Sequence, residues 1–243
     1  MTESIADISL REAAIIAGFG YLIIFIMGIY ANFFILGSLI VPEDAVTTAN
    51  NILTNNGQFR IGILSFAIMV IFDVVVAWAL YVFLKPVNKS LSLLTAWFRL
   101  VNATIFGIAL YNLLSVLQLV DGADYLTVFE TGQLQAQVML FLNAFNNTWL
   151  IGLVFFALHL LILGYLIIKS DYMPGIIGLL LIIASLGYLI DSFANFLLPN
   201  YADYASIFML IVVIPGVIGE LSLTFWLLLK GSKIPEKEKG ELV

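Results

Sequence analysis

Five ionisable residues lie inside long apolar segments of the chain: Asp73, Arg99, His159, Asp191 and Glu220. A charge that faces lipid at the centre of a membrane helix carries a penalty of about 2.5–3.5 kcal/mol. Several such charges would rival a total folding stability of about 5–15 kcal/mol. We therefore expect these side chains to face the interior of a helix bundle, where they could bind a ligand, exchange protons or pair with one another.

Four of the five residues are predicted to lie at one depth. Arg99, His159 and Glu220 are each ten residues from a lysine at the end of their segment, and Asp73 is twelve residues from Lys85. At a rise of ~1.5 Å per residue, these separations are ~15 Å and ~18 Å, which is close to the middle of a membrane. We expect the four to form a buried polar layer, with Arg99 neutralised by Asp73 or Glu220.

Asp191 lies nearer the outer end of its segment, and several other polar side chains fall at a similar depth. Together they predict an outward polar vestibule made of Asn32, Asn112, Asn147, Tyr188, Asp191 and Asn195. Each group also has a structural interpretation. Asparagines in membrane helices commonly form interhelical hydrogen bonds. A buried ion pair at Arg99 can fix helix register, and His159 can donate a hydrogen bond within the core.

The composition predicts the elements that must hold these residues. Apolar residues make up 62% of the chain and charged residues 11%, against roughly 45–50% and 25% in soluble domains. Apolar runs of twenty or more residues are typical of membrane spans. We predict an all-α, polytopic transmembrane helix bundle forming a single domain over residues 1–243. The expected spans are approximately 13–40, 59–84, 90–120, 147–168, 174–198 and 206–229, with short interfacial helices near 43–55 and 130–146.

The residue types that the chain lacks exclude several kinds of metal site and enzyme. The chain has no cysteine and one histidine, which excludes disulfides, thiolate metal sites and multi-histidine zinc sites. It contains no G-x-S-x-G elbow and no phosphate-binding glycine loop. No basic cluster is dense enough to indicate nucleic acid. We expect no metal or cofactor, and the predicted partners are the lipid bilayer and a possible lipid or small-molecule ligand. The oligomeric state is open.

The positive charges predict the orientation. All lysines and arginines outside the spans, except Arg60, fall on the side shared by the two termini: Arg11, Lys85, Lys89, Lys169, Lys230, Lys233, Lys237 and Lys239. The opposite side carries Arg60 together with Glu43, Asp44, Asp121, Asp124, Glu130 and Asp203. Because lysine and arginine bias sets topology, we predict that both termini are cytoplasmic.

Several segments distributed along the chain carry a resemblance to a known family. They are VPEDA (41–45), NNIL (50–53), FRIG (59–62), ALYVFLKPVNKSL (79–91), AWFRLV (96–101), LHLLILGYL (158–166) and GYLIDS (187–192). These segments resemble the domain of unknown function 4386 family. The resemblance implies a prokaryotic, here expected bacterial, multi-pass protein of the cell membrane without an assigned activity. It places Arg60, Asp73, Lys85, Pro86, Arg99, His159 and Asp191 in recognisable motifs and supplies no catalytic residue.

Three classes of function fit these observations. The first is a channel, carrier or sensor that binds a small molecule or lipid through the vestibule and the polar layer. The second is an intramembrane enzyme acting on a lipid or isoprenoid, with Asp73, His159 and Glu220 as acid–base groups around Arg99. The third is an accessory subunit in which the same charges serve only assembly.

The orientation leads to a direct test. Reporter fusions after Lys89, Ser170 and Lys233 should be cytoplasmic, because they follow the lysine-rich ends of the spans. Fusions after Gly57, Gly122 and Asp203 should be external. A single interior loop with reversed reporter activity would contradict six spans in this orientation.

Overall fold

The fold was obtained as a computed structural model that describes residues 8–233. The charged tail predicted beyond this range, with Lys237 and Lys239, lies outside the described residues. Seven α-helices follow one another in this part of the chain. They are α1 (Leu10–Leu39), α2 (Ala45–Thr54), α3 (Asn56–Leu84), α4 (Lys89–Val120), α5 (Thr131–Lys169), α6 (Gly175–Leu197) and α7 (Ala205–Leu229).

Every helix except α2 is long and apolar enough to cross a membrane. The described part of the chain contains no strand. The protein is therefore an all-α, polytopic membrane protein with six candidate spans, as the sequence predicts. The short helix expected near residues 43–55 is α2, and five of the six spans begin and end within about four residues of their predicted positions.

Side-chain caps explain where several helices begin. Ser9 and Glu12 form a reciprocal capping box before α1: the Ser9 amide donates to the Glu12 carboxylate at 2.8 Å, and the Glu12 amide donates to Ser9 Oγ at 3.2 Å. Asp44 caps α2, because its Oδ1 accepts from the Thr47 amide at 2.8 Å and its Oδ2 from the Thr47 hydroxyl at 2.7 Å. These bonds favour the ionised carboxylate and hold the pKa of Asp44 below its usual range.

The fourth span differs from the prediction. The sequence favoured a break near Asn146, with a separate interfacial helix over 130–146, but α5 is one continuous helix of 39 residues. No proline interrupts it, and the Thr148 hydroxyl donates to the Ala144 carbonyl across the expected break at 2.8 Å. The prediction of a split was wrong. At ~1.5 Å per residue α5 is ~58 Å long, about twice the thickness of a hydrocarbon core.

The chain forms two compact units. Within the described part, unit 1 comprises residues 8–22, 73–100 and 153–233, and unit 2 comprises Ile23–Phe72 and Val101–Gly152. The residues of α1, α3, α4 and α5 are divided between the two units. The single domain expected from the sequence stays a prediction.

An aromatic cluster forms the centre of unit 2. The Phe106 and Trp149 rings stack with centroids 3.6 Å apart, and Phe66 meets Trp149 edge-on at 5.2 Å. Phe145 completes the cluster, 5.3 Å from Trp149. Phe145 and Trp149 lie on either side of the expected break in α5. Their shared packing partner, Phe66, therefore stabilises the continuous helix.

A π-helical segment interrupts α1 within unit 2. It spans Tyr30–Leu36, and the hydroxyl of Ser38 donates to the carbonyls of Phe34 and Ile35 just after it, at 2.9 Å each. The Gln58 amide in turn donates to Ser38 Oγ at 3.0 Å. Such segments insert one extra residue into a helix turn. Nothing in the hydrophobic pattern of α1 distinguishes this segment from ordinary α-helix.

Glycines bring α5 and α6 together in unit 1. A methyl group at Gly164 would collide with the carbonyl oxygen of Gly178, and a methyl group at Gly178 would collide with that of Gly164. The two backbones are thus in direct contact, an arrangement that small residues make possible between membrane helices.

We expect Gly164→Ala and Gly178→Ala each to lower the free energy of unfolding by about 1–3 kcal/mol, because rigid backbone leaves no room for the added carbon. The matched control is Gly107→Ala, where nothing lies within 4 Å of the added methyl group. That variant should be neutral or slightly stabilising. Unfolding in detergent measures both effects, and equal stability of all three variants would contradict the close contact.

Candidate functional site

A buried ion pair joins α3 and α4 in unit 1. Arg99 on α4 donates from Nη2 to Oδ1 of Asp73 on α3 at 2.7 Å, with 1% and 4% of the two side chains exposed. A guanidinium stays protonated in proteins, so burial cannot relieve its charge by proton loss. Of the two carboxylates that the sequence offered as partners, the structure pairs Arg99 with Asp73.

Three further side chains surround the guanidinium. Its Nη1 donates to the hydroxyl of Tyr21 at 2.9 Å and lies 3.1 Å from Nε2 of His159. The charge also lies over two aromatic rings, 4.6 Å from the centroid of Tyr21 and 5.5 Å from that of Phe156. Such cation–π contacts are strongest where water is excluded. Arg99 Nε has no hydrogen-bond partner among the described residues.

These contacts determine the tautomer of His159. Since arginine has only donors, Nε2 of His159 must be the acceptor in the contact with Arg99. The ring proton is then on Nδ1, which lies 2.9 Å from the main-chain oxygen of Thr95 and donates to it. The Thr95 hydroxyl in turn donates to the His159 carbonyl at 2.9 Å. The imidazole is therefore neutral, and both of its nitrogens are engaged.

We use the term Arg99 cluster for the group of side chains joined in this way: Tyr21, Asp73, Thr95, Arg99, Phe156 and His159. Glu220 lies beside this cluster without joining its hydrogen bonds. Its Oε1 accepts from the Tyr188 hydroxyl at 3.2 Å, and the Tyr188 ring meets Phe156 edge-on at 5.4 Å.

Glu220 differs from Asp73 in two respects. It is only half-buried, whereas Asp73 is 3% exposed. Within residues 8–233, moreover, no lysine or arginine nitrogen lies within 4.0 Å of its carboxylate. Arg99 acts on it electrostatically but forms no hydrogen bond with it. Glu220 is thus a membrane carboxylate without an ion-pair partner of its own in the described structure.

The residues predicted to form the outer vestibule fall in both units. In unit 1, Tyr188 contacts Glu220, and Asp191 accepts from the Tyr201 hydroxyl at 2.6 Å; Asn195 belongs to the same unit. The other three belong to unit 2: Asn32 and Asn147 are exposed, and Asn112 donates to the Ala109 carbonyl of its own helix at 3.3 Å. A common vestibule stays a prediction.

Asn102, on α4 in unit 2, carries another unsatisfied group. It is fully buried, and neither its amide nitrogen nor its oxygen has a hydrogen-bond partner among the described residues. Buried amides normally bond to protein or to ordered water.

The polar layer predicted from the sequence did not include Tyr21, Thr95 or Phe156, because only acidic and basic side chains were assigned to that layer. A signal for Tyr21 was present. This tyrosine is ten residues from Arg11, the same separation that places Arg99 and His159 relative to their terminal lysines. If hydroxyl groups are counted together with charged groups, the same spacing assigns Tyr21 to the polar layer. Phe156 has no comparable signal, since aromatic residues are frequent in every span.

The six apolar helices define a polytopic helical membrane protein, and the ion pair of Arg99 and Asp73 is buried within it. The family profile described as Domain of unknown function (DUF4386) matches residues 16–231. The chain belongs to this family. An uncharacterised protein of Archaeoglobus fulgidus is 36% identical to it over 169 residues, which cover 70% of this chain and 83% of that protein. No solved structure matches the chain.

The Arg99–Asp73 pair can be tested by substituting one partner or both. Arg99→Ala should lower the free energy of unfolding by about 3–5 kcal/mol, because Asp73 is left buried without a counter-charge. Arg99→Met with Asp73→Asn should recover much of that loss, and Arg99→Met with Glu220→Gln should not. Unfolding in detergent measures these three variants and Arg99→Met alone. Equal rescue by both double variants, or no loss in Arg99→Met alone, would contradict the assignment.

Proposed function

We propose that this protein binds a small molecule or lipid bearing a cationic group within the membrane, as a carrier or sensor, with Glu220 as the ligand-binding residue. The observation that supports this most directly is the contrast between the two neighbouring carboxylates. Asp73 is buried against Arg99, whereas Glu220 is half-buried and has Tyr188 as its hydrogen-bond donor. Ionisable groups inside membrane segments are rare and commonly mark binding sites or ion pathways.

The Arg99 cluster has the properties of a structural clasp. Its charges cancel, and both nitrogens of His159 and the Arg99 Nη atoms already have protein partners. It joins four helices, since Tyr21, Asp73, Arg99 and His159 come from α1, α3, α4 and α5. We therefore assign to the cluster the role of fixing helix positions beside Glu220.

The charge balance favours a cation at Glu220. Once Arg99 and Asp73 neutralise each other, an ionised Glu220 leaves one negative charge in this part of unit 1. A carboxylate in a membrane needs a proton, a cation or a hydrogen-bond donor close by. The phenol of Tyr188 supplies one donor, and a ligand with a protonated amine or another lipophilic cation would supply the missing charge.

The alternative of an intramembrane enzyme has less support. An acid–base reaction needs groups that are free to exchange protons with a substrate. Asp73 is held by Arg99, and His159 is held as a neutral tautomer by Arg99 and Thr95. Glu220 alone would remain for proton transfer. An accessory subunit would account for the clasp but gives no reason for a carboxylate without a counter-charge.

The location follows from the charge distribution in the sequence. We place the protein in the cell membrane with its lysine-rich ends, including Lys85, Lys89 and Lys169, in the cytoplasm. In this orientation Asp191, on α6 and hydrogen-bonded to Tyr201, lies towards the outer surface. A ligand arriving from outside would meet Asp191 before it reaches Glu220.

Chemical labelling tests the proposed role of Glu220. Dicyclohexylcarbodiimide reacts with accessible carboxylic acids in apolar surroundings: the acid adds to the carbodiimide, and the adduct rearranges to a stable N-acylurea. We expect peptide mass spectrometry to find this label on Glu220 and not on Asp73. Tetraphenylphosphonium, a lipophilic cation, should slow the labelling of Glu220 by occupying the same site.

Two variants serve as controls. Glu220→Gln should abolish the label, while Asp203→Asn, which removes an exposed carboxylate of unit 1, should leave both labelling and protection unchanged. Absence of label on Glu220 would show that the carboxyl group is not accessible to a ligand. Labelling that the cation does not slow would contradict cation binding.

A further inference from the structure

A shallow groove lies in unit 1 at the ends of the helices, away from Glu220. It has a volume of about 580 Å³ and is lined by Asp171, Tyr172, Met173, Pro174, Trp226, Lys230 and Lys233. The first four residues form the connection between α5 and α6, and the last three come from the end of α7 and the turn that follows it. A groove at this level lies where a membrane core meets the headgroup region.

The walls of the groove are fixed by packing. The Tyr172 hydroxyl donates to the carbonyl of Phe83, near the end of α3, at 2.7 Å. The Phe83 ring meets Tyr172 edge-on at 5.2 Å and lies 6.4 Å from Trp226. The connection between α5 and α6 is therefore held against α3 and α7. Tyrosine and tryptophan are the residues enriched at membrane interfaces.

Three hydrogen-bond donors that line the groove have no acceptor among the described residues. Lys230 and Lys233 are exposed, and within residues 8–233 neither ammonium lies within 4.0 Å of a carboxylate. The indole N–H of Trp226 likewise forms no hydrogen bond with any residue that the structure describes. Two lysines and Asp171 give the groove a net charge of +1, from two positive charges and one negative charge.

We propose that this groove binds the headgroup of an anionic phospholipid. The phosphodiester would accept hydrogen bonds from Lys230, Lys233 and the Trp226 indole, which all line the groove. Asp171 would accept hydrogen bonds from headgroup hydroxyls, such as those of a glycerol headgroup. The acyl chains would extend along the apolar surface of α7, where Ile218 and Phe225 are exposed. This site is independent of the ligand proposed for Glu220.

Lipid retention tests whether the groove prefers an anionic phospholipid to a zwitterionic one. The full-length protein is reconstituted in nanodiscs that contain equal amounts of phosphatidylglycerol and phosphatidylcholine, and native mass spectrometry then identifies the lipids that remain bound. We expect phosphatidylglycerol to be enriched by about fivefold for each lysine that contacts the phosphate. Lys230→Gln with Lys233→Gln should reduce the enrichment to the bulk ratio.

A matched control removes the same charge from the same end of the protein. Lys85→Gln with Lys89→Gln changes two exposed lysines that do not line the groove, and this variant should retain the parent's enrichment. Retention of both lipids in equal amounts, or equal loss of enrichment in the two double variants, would overturn the proposal. Displacement of the lipid by millimolar inorganic phosphate would also overturn it, because the site would then bind a soluble anion.

Discussion

The permanent charge of Arg99 is the constraint on which unit 1 depends. A guanidinium buried in an apolar environment must keep an anion within hydrogen-bond distance, and Asp73 supplies it at 2.7 Å. This requirement fixes α3 against α4. The remaining donors of the guanidinium then select their acceptors, Tyr21 on α1 and His159 on α5. The positions of four helices are thus coupled to one side chain that cannot lose its charge.

The depth of Asp73 in its span made it a predictable partner of Arg99. Helical rise converts sequence separation into depth, so Asp73 could be preferred over Asp191 as a partner of Arg99. The same reasoning could not decide between Asp73 and Glu220, because both lie at nearly the same depth. That choice depends on the rotation of each helix about its axis. The hydrophobic pattern of a long apolar span contains little information about this rotation. The continuity of α5 and the π-helical segment at Tyr30–Leu36 were also missed, since they depend on contacts from other helices.

The Arg99 cluster and Glu220 represent two ways of keeping charge inside a membrane. In the cluster, opposite charges are paired in a small volume, and Nε is the one guanidinium nitrogen without a hydrogen-bond partner among the described residues. Glu220 is half-buried, with a phenol from Tyr188 as its donor. Phe156 connects the two arrangements, because its ring contacts His159 on one side and Tyr188 on the other. Tyr188 is therefore linked to the Arg99 cluster through packing as well as through charge.

The contact at Gly18 has a consequence for the order in which the protein is assembled. A methyl group at Gly18 on α1 would collide with Leu228 on α7, so the first and last spans pack closely together. During synthesis α1 enters the membrane long before α7 has been made. The surface of α1 at Gly18 therefore lacks its packing partner until α7 is inserted. If all six candidate spans cross the membrane, α1 begins and α7 ends on the same side of it. In unit 1 the start of α1 also lies against the turn after α7, because a methyl group at Gly231 would collide with Ala14. Such proximity is the geometry that circular permutation requires. A linker from the end of α7 to the start of α1, with new ends opened in the loop between α3 and α4, would let α7 be made before α1.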